Sequence, residues 1–161
     1  MKLNIAISIF VSLVCLSFTS EPFQEKELTV KCLVQTKKYA GEGAYIAISL
    51  VDEAGNYQKT LYVIGDEERW YDSLVNWYTS IGKDSDVDAI SGATITPGDR
   101  SVIAFKIAQT YVDKGYSIQV ESAVEHNKYY ENELRIPLTT ENLNGSHEGT
   151  GYLRYVRFIM H

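Results

Sequence analysis

From residue 28 onward the chain keeps returning to one pattern, apolar and polar residues in alternation. The run LTVKCLVQT at 28–36 is the clearest case, and further runs follow at 45–51, 57–64, 101–107, 116–124, 130–138 and 152–160. A period of two puts successive side chains on opposite faces of a pleated strand, so each run reads as a strand with one face in a core. The run at 45–51 is more continuously apolar, and the turn residues Asp52-Glu-Ala-Gly-Asn56 behind it predict a hairpin with 57–64. The period changes once. Asp66 reads as a helix cap ahead of Glu67 and Glu68, and Trp70, Leu74, Trp77 and Ile81 recur at three- and four-residue spacing up to Gly82. Pro97 and Pro137 fall at element edges. The expectation is a mostly β, Ig-like two-sheet antiparallel sandwich of about seven strands with one inserted amphipathic helix.

With 45% hydrophobic and 22% charged residues, 161 positions suffice for one globular domain and are too apolar for disorder. The formal charge of -6, with no clustered Lys/Arg surface, argues against a nucleic-acid partner. Residues 1–20 differ in kind: Met1-Lys2 leads into an apolar run at 5–18 broken only by Ser8, Ser12 and Ser17. That is the make-up of a secretory signal, too short for a spanning helix. Residues 21–161 are then expected as a single β-sandwich domain outside the cytoplasm, periplasmic or otherwise extracytosolic, the mature start falling between Phe18 and Glu21. Cys15 raises a lipid anchor as the minor alternative, since the residues before it do not follow the usual bacterial pattern. Without the signal, Cys32 is the one remaining cysteine, and its place in an alternating run predicts a packed thiol.

The loop at 83–99 breaks the plain β pattern. It contains Asp88-Ala-Ile-Ser-Gly-Ala-Thr94, then Thr96. Gly92 and Ala93 carry almost no side chain, so a large partner can approach the backbone there, with the hydroxyls of Ser91, Thr94 and Thr96 beside them. Nothing local lowers the pKa of such a hydroxyl; it becomes an acceptor when a partner enzyme supplies the base, the metal and an activated phosphoryl donor. Elsewhere the acids Glu67-Glu68 and Glu131/Glu133 read as solvated faces, and 145–151 as a long flexible hairpin loop. His126, His147 and His161 follow no metal-ligand spacing, so no metal site is expected, and surface positions are the simplest reading. No nucleophile elbow, phosphate-cradling glycine loop, HExxH or CxxC is present, and no base for an independent hydrolase.

Asp88-Ala-Ile-Ser91-Gly92-Ala93-Thr94 resembles the flavinylation motif of the FMN-binding domains of sodium-pumping quinone reductases. There a periplasmic flavin transferase splits FAD and joins FMN through its phosphate to the motif threonine. The resemblance implies Thr94 as the attachment site, with Asp88, Ser91, Gly92 and Ala93 serving recognition. The sequence around the motif does not resemble the ordinary FMN-binding domain. Over 44–138 the chain instead resembles a family of predicted periplasmic proteins, domain of unknown function 2271. The likeness rests on AYIAISLVDEAGNYQKTLYVIGD, RWYDSLVNWY, the SGAT loop with Pro97-Gly98, and YSIQVESAVEHNKYY. It departs from that family where a Trp-Asp-Gly turn is replaced by Ala104-Phe-Lys-Ile-Ala-Gln-Thr110.

Two functions follow as expectations. The first is an exported redox carrier, with covalent FMN, a flavin transferase and a membrane electron-transfer protein as partners, and with the flavin rather than a catalytic side chain doing the chemistry. Tyr71 and Tyr78, expected to point away from the packed side of the helix, are then the aromatic residues to shield the flavin ring, while Trp70 and Trp77 pack in the core. The second is a non-catalytic binding or accessory sandwich without a cofactor, in which SGAT is only a tight turn.

Overall fold

The structure, a computed structural model, describes residues 26–82 and 91–160. The expected signal and Asp88 lie outside them. Among the described residues nine strands form two sheets: β1 (Glu27–Thr36), β2 (Tyr45–Val51), β3 (Tyr57–Ile64), β4 (Ser91–Gly92), β5 (Arg100–Ala108), β6 (Ser117–Ala123), β7 (Tyr129–Pro137), β8 (Ser146–Glu148) and β9 (Leu153–Met160). One sheet has the order β5-β1-β9-β8, the other β4-β3-β2-β6-β7. The seven expected strands are all there, two short ones are added, and every pairing is antiparallel except that of the two-residue β4 with β3.

Alternation sets the core. Val30, Cys32 and Val34 of β1 meet Ile46, Ile48 and Leu50 of β2, Ile118 and Val120 of β6 and Val156 and Phe158 of β9 in one cluster between the sheets. Burial raises the Cys32 thiol far above its usual range, which makes it the packed, unreactive thiol expected. The continuous apolar run of β2 also has its reason: every residue of the strand is buried, because its second face lies under the segment that follows β3. The β2–β3 hairpin is held as expected. Asp52 accepts hydrogen bonds from the Asn56 backbone N–H (2.8 Å) and side-chain amide (2.9 Å), and these bonds hold its carboxyl below the ordinary range.

The expected single helix is two pieces, a 3₁₀ turn at Glu68–Ser73 and a seven-residue helix α1 at Val75–Ile81, broken at Leu74 with φ -89° and ψ 69°. Asp66 caps neither. A 3₁₀ turn repeats every third residue, so Tyr71, Leu74 and Trp77, rather than Trp70, come down on the sheet. Tyr71 is 5% exposed and Trp77 1%, while Trp70 is half-buried with its ring edge-on to the exposed His126 at 5.8 Å. Tyr71 therefore does not point away from the core, as the uniform helical spacing had implied. The α1 cap is tertiary: the Trp77 N–H donates to Glu121 of β6 (3.1 Å) and the Asn76 N–H to the Tyr129 hydroxyl of β7 (3.1 Å).

Two expectations about polar residues change. Glu133 is no solvated acid, being 1% exposed. Between Val120 and Ser122 the β6–β7 register shifts, so Tyr130 rather than Asn132 stands opposite Ser122. The extra β7 residues form a bulge that turns Glu133 inward, where strict alternation from Leu134 and Ile136 would turn it out. Glu131 remains exposed. Nor is 145–151 simply a flexible loop: Ser146–Glu148 pairs with β9, and the residues after it wrap the Glu133 carboxylate.

Candidate functional site

The SGAT segment lies at one edge of the five-stranded sheet. Ser91 and Gly92 run parallel to Val63 and Ile64, and the Gly65 N–H donates to the Gly92 carbonyl (2.5 Å). Three residues on, Ala44 and Ile95 exchange backbone hydrogen bonds (2.9 and 3.3 Å), an isolated bridge that carries the chain from β4 to the start of β2. Further along, the Thr36 N–H donates to the Asp99 carbonyl (3.0 Å), the Gly98 N–H to the Lys37 carbonyl (3.0 Å) and the Thr36 hydroxyl to the Thr96 carbonyl (2.9 Å). Residues 91–92 are thus tied to 63–65 and residues 95–99 to 36–44, and Thr94 sits between fixed points. Buried Ile95 anchors the segment.

Ala93 is exposed, and Gly92 and Thr94 are half-buried. The Thr94 side chain lies directly over the backbone of Gly43: a Cβ on Gly43 would stand 2.7 Å from the Thr94 Cβ and closer still to its hydroxyl oxygen. Glycine at 43 is thus what lets the threonine settle there. Gly92 is open on its Cβ side, the nearest atom being the Tyr62 hydroxyl oxygen at 3.6 Å. Of the sequence-predicted residues, Gly92, Ala93 and Thr94 come together with the Ser91 backbone on this edge, and Asp88 lies outside the described residues.

The two predicted aromatic residues are placed differently. Tyr71 supports the loop from behind: its hydroxyl donates to the Gly65 carbonyl (2.9 Å), and Gly65 holds Gly92. Its ring is packed edge-on against Trp77, with centroids 5.2 Å apart. Tyr78 is half-buried against the cluster under α1. Alternation and spacing missed Tyr39. It lies in the middle of the stitched segment, half-buried, its hydroxyl donating to the Glu42 carbonyl (3.2 Å) and its ring 4.7 Å from that of Tyr152. Tyr152 in turn meets Tyr130 edge-on at 5.0 Å, with the Lys128 ammonium 4.4 Å from the Tyr130 centroid. Burial, and then Tyr152, push the Tyr39 hydroxyl up to about 12, so it is protonated at neutral pH.

The Glu133 carboxylate underlies this aromatic row. One oxygen accepts from the N–H groups of Gly151 (2.5 Å) and Leu153 (3.2 Å), the other from the Tyr152 N–H (3.0 Å) and the Ser122 hydroxyl (2.5 Å). Gly149 and Gly151 are needed for that approach: a Cβ on the first would stand 2.7 Å from a Glu133 oxygen, and one on the second would run into the other Glu133 oxygen and the Tyr130 ring. The glycines in the sequence are the one visible trace of this clamp. Among the described residues no three His, Cys, Asp or Glu side chains are grouped to hold a metal ion.

The fold and the loop define a two-sheet sandwich domain with a small-residue, hydroxyl-bearing segment pinned to one sheet edge. The chain belongs to the family described as predicted periplasmic protein (DUF2271), whose model matches residues 27–155. That span takes in β1 and most of the segment after Leu138, both beyond the 44–138 likeness in sequence. Neither a curated protein nor a solved structure matches the chain. No helix among the described residues is long and apolar enough to cross a membrane.

Proposed function

We propose that the chain is exported, with residues 1–20 as its signal, and works as a redox carrier bearing FMN joined through its phosphate to Thr94. The observation that carries the reading is the sequence Asp88 to Thr94 together with the position of its threonine, half-exposed on an edge loop whose flanks are fixed. Residues on hand fit an attached group: exposed Ala93 and open Gly92 leave the backbone approachable, and Gly43 makes room for the threonine. The family's description as periplasmic agrees with modification by a periplasmic enzyme.

In the attachment step the Thr94 oxygen attacks the flavin-side phosphorus of FAD, the bond to the AMP phosphate breaks, and AMP leaves. The hydroxyl proton passes to a base of the flavin transferase. Once bound, the flavin supplies redox chemistry that no side chain here provides, linking a membrane reductase to an extracytosolic acceptor. The competing reading, an accessory binding sandwich without cofactor, draws on exposed apolar residues such as Val102, 69% exposed on β5.

Intact mass separates the two. The protein produced in the export compartment with an active flavin transferase gains the mass of FMN less water; Thr94→Ala, or omission of the transferase, abolishes the gain. An unchanged mass beside a modified control protein discards the carrier reading.

A further inference from the structure

We infer that Tyr39 is the surface on which the isoalloxazine ring of the Thr94 adduct rests, with Tyr152 as its buttress. The inference rests on the carrier reading and names the part of the protein that meets the flavin. Neither residue belongs to the SGAT segment or to the helical region.

Proximity comes first. The Tyr39 hydroxyl is bonded to the Glu42 carbonyl at 3.2 Å, and the next residue, Gly43, lies against the Thr94 side chain. Standard covalent geometry then puts the Tyr39 and Thr94 hydroxyls within about 10 Å of each other. An extended ribityl phosphate arm covers that distance. The chain between them cannot drift, because the bridge of Ala44 with Ile95 and the bond of Gly98 to Lys37 close it on both sides.

Rigidity comes second. An aromatic platform favours a planar ring most when it is already held in position, because little ordering remains to be done on binding. Tyr39 is held by its hydroxyl and by the tilted ring of Tyr152 (55°). Tyr152 is held through its backbone on both sides: its carbonyl accepts from the Lys37 N–H (2.7 Å) and its N–H donates to Glu133 (3.0 Å). Lys37 adds a bond from its ammonium to the Gly149 carbonyl (3.0 Å). The Glu133 clamp, which the SGAT segment itself does not require, acquires a purpose as the anchor of this row. Of the other aromatic candidates, Tyr71 has its ring buried against Trp77, and Tyr78 packs on the cluster beneath α1, across the five-stranded sheet from the main core that Tyr39 covers.

Tyrosine in contact with an excited flavin donates an electron and quenches its emission, whereas phenylalanine, far harder to oxidise, does not. The test compares flavin emission of the wild type, Tyr39→Phe, Tyr39→Leu and Tyr78→Leu, each loaded by the transferase and matched for adduct by intact mass, before and after digestion to peptides. The expected result is wild-type emission severalfold below that of its own digest, recovered in both Tyr39 variants and still quenched in Tyr78→Leu. Tyr39→Phe keeps the ring and its contact with Tyr152, so recovery there does not come from unfolding. Loaded Tyr39→Phe as dark as the wild type, or a wild type as bright as its digest, overturns the inference. An unmodified wild type beside a modified control removes the carrier reading and this inference with it, and is told apart by mass alone.

Discussion

Two buried glutamates, Glu133 and Glu121, show how differently this sandwich treats the same side chain. They are 1% and 3% exposed. Glu133 lies between the sheets, and its two oxygens share four hydrogen bonds, three of them from consecutive backbone N–H groups of residues 151–153. Glu121 lies on the opposite face of β6, under α1, where one oxygen takes both the Trp77 N–H and the Tyr129 hydroxyl (2.7 Å). Burial holds the Glu121 carboxyl above its ordinary range; Tyr129 and Trp77 pull it back in part, and Glu131 adds to the rise. Backbone donors arranged around a carboxylate replace the water it lost, whereas a helix end and a tyrosine do so only partly. Glu133 is an anchor and Glu121 a helix cap.

The contrast is sharpest on deletion. Glu133→Ala leaves three N–H groups and the Ser122 hydroxyl without their acceptor at a buried site, and the expected loss is on the order of 3 kcal/mol or more in denaturant unfolding. A loss under about 1 kcal/mol would mean that water enters and the clamp is not rigid. Tyr129→Phe removes one donor to Glu121 and the acceptor of the Asn76 N–H, with an expected loss of about 1–2 kcal/mol, read in the same way. The smallest effect concerns pH. Because Glu121 has a raised pKa in the folded chain, its contribution to stability is fully present below the ordinary glutamate value of 4.5 and is lost as pH rises through the raised value. Thermal unfolding of Glu121→Gln is therefore expected to lack that part of the decline between acidic and neutral pH. Equal slopes in variant and wild type would assign the decline to other groups.

The same division runs through what could be read in advance. Tyr45 to Val51 was legible as a strand because its apolar run is local, and the hairpin after it because Asp52 and Asn56 bond across a few residues. The SGAT segment was legible as chemistry for the same reason: its residues are neighbours in the chain. The helix was legible only in part, since Trp70, Leu74, Trp77 and Ile81 have helical spacing, but the break at Leu74 depends on donors that β6 and β7 satisfy. Glu133 gave no signal in its own strand, because the bulge that turns it inward exists only in the pairing of β7 with β6.

By itself, then, the sequence determined the strand runs other than the bulged turn of β7, the packed thiol of Cys32 and the hydroxyl-bearing loop, since each depends on residues a few positions apart. Tertiary structure alone decided that Gly43 would meet Thr94, that Tyr39 would meet Tyr152, and that Glu133 would hold Tyr152. Those contacts join residues tens of positions apart through sheet register and loop closure, which no local pattern encodes.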